Sequence, residues 1–498
     1  MTANLLHALY AGRDPASRAY RFEAGPERST AEMRARVGRV AEALLRLGVG
    51  RGDRVSFQLE KGEEVLLLAH GCLQIGAVLH PLNTAYTDAE VAGLVGAAAP
   101  RLMVCAPKAA AHVASVLPGV RIETLGPDLS GTLGAAIAAA APLAAVAPVS
   151  ADDTAALLYT SGTTGKPKGA CITHGNLAES ARALARVWAL MPADRLLHVL
   201  PMYHAHGLLT AVNSLLVAGG SILFLDRFEA ASALAALPEA TVFMGVPTHY
   251  GRLLKEPGLK AAARSLRLAV SGSAPLSLEI AERFAAETGV HIVERYGATE
   301  TAIVTAIPAG TKGRTGFVGW ALPGVEIRVR QADGRVAGHD AVGGLETRGH
   351  NVFSGYWNRP DANAEAFTAD GWFITGDIAE IDATGCVRLL GRSKDLVITG
   401  GLNVYPKEVE DALDALLAGG ESAVFGVAHP DFGEGVVAVV EGAPVDEPAL
   451  IAALRHTLAA YKVPKRILPV SHIPRNRMGK VLKADLRAAH ADLFTNRA

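Results

Sequence analysis

Between Tyr159 and Gly169 the chain reads Tyr-Thr-Ser-Gly-Thr-Thr-Gly-Lys-Pro-Lys-Gly, with hydroxyls and small residues alternating with glycines and two lysines adding charge. Glycines allow backbone N–H groups to turn toward an anion at close range. Thr160, Ser161, Gly162, Thr163, Thr164, Gly165, Lys166 and Lys168 therefore form a candidate phosphate-holding loop. It is not a Walker loop, which needs glycine where Thr160 stands and Ser or Thr where Pro167 stands. A flexible surface turn is the plainer alternative, disfavoured by so dense and ordered a combination. Residues 155–159 read as a buried strand, and His174-Gly175-Asn176-Leu177 as a helix start, so the order is strand, loop, short strand, helix.

Other stretches carry chemistry-bearing residues at loop positions. His204 and His206 lie two apart between a strand and a helix. A lone histidine is usually structural, but a spaced pair in a loop is less easily so. Ser271-Gly272-Ser273-Ala274-Pro275-Leu276 is a second small-residue loop, and Glu294-Arg295-Tyr296-Gly297-Ala298-Thr299-Glu300-Thr301 follows the next helix. Asp377 closes Trp372-Phe373-Ile374-Thr375-Gly376, Arg392 and Lys394 share a short polar turn, and Lys480 ends a basic loop.

Over about residues 30–487 these motifs resemble the adenylate-forming enzymes: acyl-CoA synthetases, peptide-synthetase adenylation domains and firefly-type luciferases. Within that superfamily the chain is most similar to the malonyl-CoA synthetases. The resemblance implies that the Tyr159–Gly169 stretch holds ATP, with Thr163 among the catalytic residues, and that Ser271, Gly272, Ser273 and Ala274 lie along the adenine. It implies that Tyr296 stacks on the base, that Glu294, Gly297 and Thr299 belong to the nucleotide site, and that Asp377 and Arg392 hold the ribose. Glu300 is implied to hold Mg2+, Lys394 to be the hinge, Lys480 to be the catalytic lysine, and Gly400, Gly401 and Leu402 to border the pantetheine of coenzyme A. His204, His206, Gly245 and Ser271 are implied at the acyl pocket. Ala298 stands where methionine is common, a change that touches packing rather than chemistry.

Arg252 and Arg295 set the expected acid. Relatives acting on fatty or aromatic acids usually carry glycine at the position of Arg295, and their helix at the position of Arg252 lines an apolar pocket. Two guanidinium groups there suit an acid that keeps a second carboxylate, namely malonate or methylmalonate. The expected reaction is malonate, ATP and coenzyme A giving malonyl-CoA, AMP and pyrophosphate. The alternatives are ligation of another short or medium acid, or a free-standing amino or aryl acid adenylating enzyme. No carrier domain follows residue 498, which favours a CoA ligase. A lysine acetyltransferase and deacetylase acting on Lys480 would form a reversible switch, since acetylation removes its charge.

Elements must bring these loops together. With 498 residues, half of them apolar, 19% charged and a net charge of −1, the chain fits a compact enzyme and gives no global sign of nucleic-acid or membrane binding. Four cysteines without metal-type spacing and a start without a basic-then-apolar run point to a reduced, cytoplasmic protein. Residues 206–225 carry no charge, but Asn213-Ser214 and Gly219-Gly220 split them into a helix and a strand rather than a membrane span. Residues 454–490 hold nine Lys/Arg against Asp485, read either as a solvated face or as a surface meeting a polyphosphate.

Alternating helices and strands from about residue 30 predict an α/β protein. Its large N-terminal domain, 1–393, has two doubly wound units, the second at about 153–310, and a β-rich subdomain at about 315–390. A small mobile α+β domain, 394–498, follows.

Overall fold

The computed structural model describes residues 2–23, 25–160, 167–417, 420–442, 445–476 and 479–494. Helices begin where side chains satisfy their first N–H groups. Ser29 accepts from Glu32 N, and the Glu32 carboxylate returns to Ser29 N, at the start of Thr30–Arg46. Thr87 and Glu90 repeat this capping box for Asp88–Ala98. The helix Glu447–Leu454 runs on into a turn in which the Thr457 and Leu458 N–H groups and the Thr457 hydroxyl all donate to Leu454 O.

Among the described residues the strands form four sheets. The first runs 355–356, 168–173, 154–160, 78–81, 54–58, 102–105 and 122–124. The second runs 320–321, 305–306, 292–296, 268–271, 242–245, 195–198, 221–224, 18–22 and 28–29. Both are parallel through their centres, so the loops that follow their strands gather along common edges.

This order corrects the expected second unit. Thr154–Thr160 pairs in parallel with Val78–Pro81, Leu79 opposite Ala156, and so joins the first sheet. Arg18–Phe22 crosses to the second sheet beside Ser221–Phe224. Apolar alternation identifies a strand but does not choose its partner.

The third sheet, 336–337, 325–330, 341–349, 373–381 and 387–392, is antiparallel. The fourth lies wholly after residue 396, and the cluster of Val397, Val409, Val424, Val436 and Ile467 gives that segment its own core. Residues 134–150, rich in alanine and proline, are tied to the first helices. Leu143 N donates to Gly38 O at 3.0 Å and Gln74 Nε2 to Leu143 O at 2.7 Å, and a Cβ on Gly38 would stand 2.5 Å from that oxygen.

Residues 206–225 resolve into a π-helical turn His206–Ala211, helix Val212–Val217 and strand Ser221–Phe224. Among the described residues no helix is long and apolar enough to cross a membrane. The basic run is largely neutralised: Lys462 pairs with Glu408, Arg466 with Glu447, Arg475 with Glu421, Lys483 with Glu410 and Arg487 with Asp395. Most of it is a paired surface rather than a polyphosphate platform.

Packing has buried several histidines. His70, His80, His174, His198 and His206 are each at most 2% exposed. Burial lowers His70 and His80 to about 3 and His174 to about 4, and puts His198 and His206 well below the ordinary 6.5. Below pH 6.5 the unfolded chain therefore binds more protons than the folded one. This stability is complete above pH 6.5 and is lost as pH falls toward 4, at about 1.4 kcal/mol per pH unit for each histidine. Thermal unfolding scanned from pH 7 to pH 4.5 should show a steep fall in Tm below 6.5; a flat profile would contradict burial in the neutral form.

Candidate active site

A cavity of about 960 Å³ opens at the gathered strand ends and is closed on one side by residues from the last segment, Arg475, Asn476 and Lys480. Of the candidate residues, Thr160, Lys168, His204, His206, Ser273, Arg295, Gly297, Thr299, Glu300, Arg392, Lys394 and Lys480 line it. Ser161, Gly162, Thr163, Thr164, Gly165 and Lys166 lie outside the described residues.

At the phosphate end the antiparallel pair Thr154–Thr160 and Lys168–Thr173 presents Thr160 and Lys168. Thr160 Oγ1 donates to Glu300 Oε1 at 3.1 Å, and Tyr356 OH donates to the same oxygen at 3.1 Å. Lys168 Nζ stands 5.1 Å from the centre of the Tyr356 ring. Among the described residues no group of three or more His, Cys, Asp or Glu could ligate a metal. Glu300 offers one carboxylate with an uncommitted oxygen, a donor set that fits Mg2+, which keeps most of its waters.

At the acyl end a guanidinium is buried. Arg295, 7% exposed, ends the strand Ile292–Tyr296, and Gly272 makes room for it: a Cβ there would lie 2.5 Å from Arg295 Cζ. Arg295 Nη2 reaches Ser273 Oγ at 3.5 Å, His206 Nδ1 lies 3.2 Å from that hydroxyl, and Ser273 holds a φ of +72°. Among the described residues Arg295 has no carboxylate partner, and its Nε and His206 Nε2 are buried without hydrogen bonds. Desolvation lowers Arg295 to about 10, still charged at neutral pH. Burial first, then Arg295, lowers His204 to about 4 and His206 well below its ordinary value, so both rings are neutral there. The result is one fixed cation among neutral donors and acceptors, a site for an anionic group.

Arg252 does not join it. The helix Pro247–Leu253 buries Pro247, Tyr250 and Leu253, and Arg252, two residues from Tyr250, points about 200° away into solvent. This corrects the expected pair of arginines to one. Gly245 and Ser271 end adjacent parallel strands behind the wall, with Ser271 Oγ buried and unpaired.

At the nucleoside end Asp377 and Tyr296 pair with each other. Tyr296 OH donates to Asp377 Oδ2 at 2.5 Å, and Arg392 Nε donates to Oδ1 at 2.7 Å. Neither Tyr296 nor Asp377 lines the cavity; Gly376 and Arg392 form the wall before them. Burial raises Asp377 despite Arg392. Tyr296 is 7% exposed, and its hydroxyl is committed to the carboxylate. Gly272 and Ala274 do not reach the cavity, nor does Glu294, which burial raises to about 7.

Lys480 approaches from the last segment. Its side chain keeps contact with solvent, yet the surrounding walls, and then Arg392, lower its pKa, with Asp377 opposing them. Gly400 and Gly401, with φ of 57° and 78°, turn the exposed hairpin of Val397–Thr399 and Leu402–Val404, away from the cavity.

Tyr356 is the wall residue that motif reading missed. Its only sequence signal is a tyrosine after a glycine, and what gives it meaning is the pairing of Gly355–Tyr356 with Lys168–Thr173.

Replacing Arg295 with methionine should raise His204 from about 4 toward the normal range without reaching it, since burial remains. Titration of ring-labelled histidine by NMR checks this, and an unmoved His204 would contradict its closeness to the guanidinium.

A family model described as AMP-binding enzyme matches residues 9–357, and one described as AMP-binding enzyme C-terminal domain matches residues 408–480. The crystal structure of ATP-bound MatB from Rhodopseudomonas palustris is similar at a TM-score of 0.94 and 46% identity, covering 99% of this chain and 100% of that one. A feruloyl-CoA synthase of an Amycolatopsis sp. is 34% identical over 465 residues, 92% of this chain and 93% of its own. The mitochondrial malonate–CoA ligase of Mus musculus is 38% identical over 376 residues, 67% of this chain and 64% of its own.

Proposed function

The chain belongs to the AMP-binding enzyme family, among its ATP-dependent, AMP-forming acid–CoA ligases, and on that premise we propose that its acid is malonate, with methylmalonate as a second substrate. The observation that carries this reading is Arg295, a buried guanidinium with no carboxylate partner among the described residues, in the cavity wall beside His204 and His206. An acid whose second carboxylate survives activation would supply the missing partner. A feruloyl or fatty acyl group would leave it unpaired, at roughly 3–5 kcal/mol, or two to four decades in kcat/KM.

The mechanism follows from charge. A carboxylate oxygen of malonate attacks the α-phosphorus of ATP, forming an O–P bond as the bond to pyrophosphate breaks. The thiol of coenzyme A then attacks the acyl carbon, losing its proton as AMP departs. Arg295 would hold the spectator carboxylate and so orient the reacting one. Lys480 would offset negative charge growing on the phosphoryl oxygens. Lys168 and the 161–166 backbone would cradle the polyphosphate, and the ribose would be held by Asp377 through the lone pairs its bonds leave free and by Arg392 through its remaining N–H groups. Mg2+ held at Glu300 would supply charge neutralisation of the triphosphate when bound.

Lys480 beside Arg392 suits the first half-reaction. A rotation of residues 394–498 about Lys394 would withdraw it and bring the hairpin of Gly400, Gly401 and Leu402 to the cavity for the second. Acetylation of Lys480, whose side chain meets solvent, would remove the charge that the first step needs.

ATP–pyrophosphate exchange over malonate, methylmalonate, succinate, acetate, octanoate and ferulate tests the substrate. Malonate should exceed acetate, octanoate and ferulate by about 10² or more; equal use of octanoate or ferulate would overturn the assignment. Lys480→Ala should lose about 10² or more in adenylation while thioester formation from supplied acyl-adenylate is nearly spared. Equal losses in both half-reactions would argue against two poses.

A further inference from the structure

Glu300 is held from one direction by a segment that no motif identifies. Asn351 Nδ2 donates to Thr301 O at 3.1 Å, Phe353 N donates to Glu300 O at 2.8 Å, and Tyr356 OH reaches Glu300 Oε1 at 3.1 Å. Residues 351–356 thus bind both the backbone and the side chain of one carboxylate residue. The segment is itself tied down: Asn176 Nδ2 donates to His350 O at 2.7 Å and to Val352 O at 2.9 Å.

The Tyr356 side chain has little freedom. Its backbone N–H donates to Asn363 Oδ1 at 2.6 Å, its ring meets Phe353 edge-on at 4.8 Å, and Lys168 Nζ lies over that ring, 5.1 Å from its centre. A phenol carries its proton at neutral pH, so beside the carboxylate it acts as donor. Thr160 Oγ1 donates to the same Oε1 at 3.1 Å. Two donors on one oxygen fix the rotation of the carboxylate plane. Among the described residues none bonds the other oxygen, Oε2.

We propose that Tyr356 is a positioning residue that, with Thr160, pins Oε1 of Glu300 and leaves Oε2 directed to a Mg2+ ion on the ATP phosphates. The inference rests on the reading of Glu300 as the Mg2+ carboxylate and names what orients it. Groups that orient metal ligands commonly affect metal affinity by about 10–100-fold when removed. Tyr356 acts through Glu300, so its loss falls on the metal-dependent part of nucleotide binding.

The test compares ATP affinity with and without Mg2+, by calorimetry in the absence of acid, for the full-length wild type and for Tyr356→Phe, Thr160→Val and Glu300→Gln. Phenylalanine keeps the ring packing, and metal-free ATP affinity reports whether each variant's site has folded. The ratio of the two affinities should shrink about tenfold in Tyr356→Phe, with metal-free affinity close to wild type in that variant, similarly in Thr160→Val and most in Glu300→Gln. If Glu300→Gln loses the ratio while Tyr356→Phe keeps it, the positioning role is overturned and the Mg2+ carboxylate stands. If Glu300→Gln keeps the ratio, both fall. An equal loss with and without Mg2+ in Tyr356→Phe would make the tyrosine merely structural and would also overturn the proposal.

Discussion

A guanidinium taken out of water, with no carboxylate partner among the described residues, is the constraint around which one end of the cavity is built. An unpaired buried charge is among the least favourable groups a fold can hold, and Arg295 is accommodated by local concessions. Gly272 gives up its side chain so that the guanidinium can lie against the backbone, and Ser273 accepts a left-handed φ to place its hydroxyl between Arg295 and His206. The two histidines concede their protons, remaining neutral beside a permanent cation. Each concession costs stability.

The fold supplies the other half of the arrangement. Parallel strands in both large sheets end along shared edges, so loops far apart in sequence meet without long excursions. Thr160, Glu300 and Tyr356 come from three different segments yet share one carboxylate oxygen. Asp377 and Arg392 lie opposite each other on neighbouring antiparallel strands, with Tyr296 arriving from the second sheet. Charge is thereby spread along the cavity, with Arg295, Lys168, Glu300 and Arg392 in its wall and Asp377 behind Arg392.

Much of this was legible in the sequence because it depends on local chemistry. The alternation of helical and strand patterns from about residue 30 marked elements such as Thr30–Arg46, Arg54–Gln58 and Asp88–Ala98. Glycine-rich loops with charged ends marked the cavity, and Arg295, inside such a loop, was placed correctly in its wall. Features that depend on distant pairing were not legible. Thr154–Thr160 was read as part of the second unit, because its parallel partner lies more than seventy residues away. Arg252 was assigned inward because its helix begins near the cavity, but helical phase, fixed by Tyr250 and Leu253, turns it outward. Tyr356 escaped notice because its value lies in a strand pairing made nearly two hundred residues from its partner.

The central claim is that Arg295 recognises a second carboxylate, and the most direct measurement isolates that charge. Malonate and its monoamide differ little in size but by one negative charge. Steady-state kcat/KM for both should be measured with the wild type and with Arg295→Met. The wild type should favour malonate by about 10² or more, and the variant should lose most of that preference by falling on malonate rather than on the amide, since an unpaired charge is worth several kcal/mol only where it is desolvated. A wild type indifferent between the two acids, or a variant that keeps the full preference, would contradict the account.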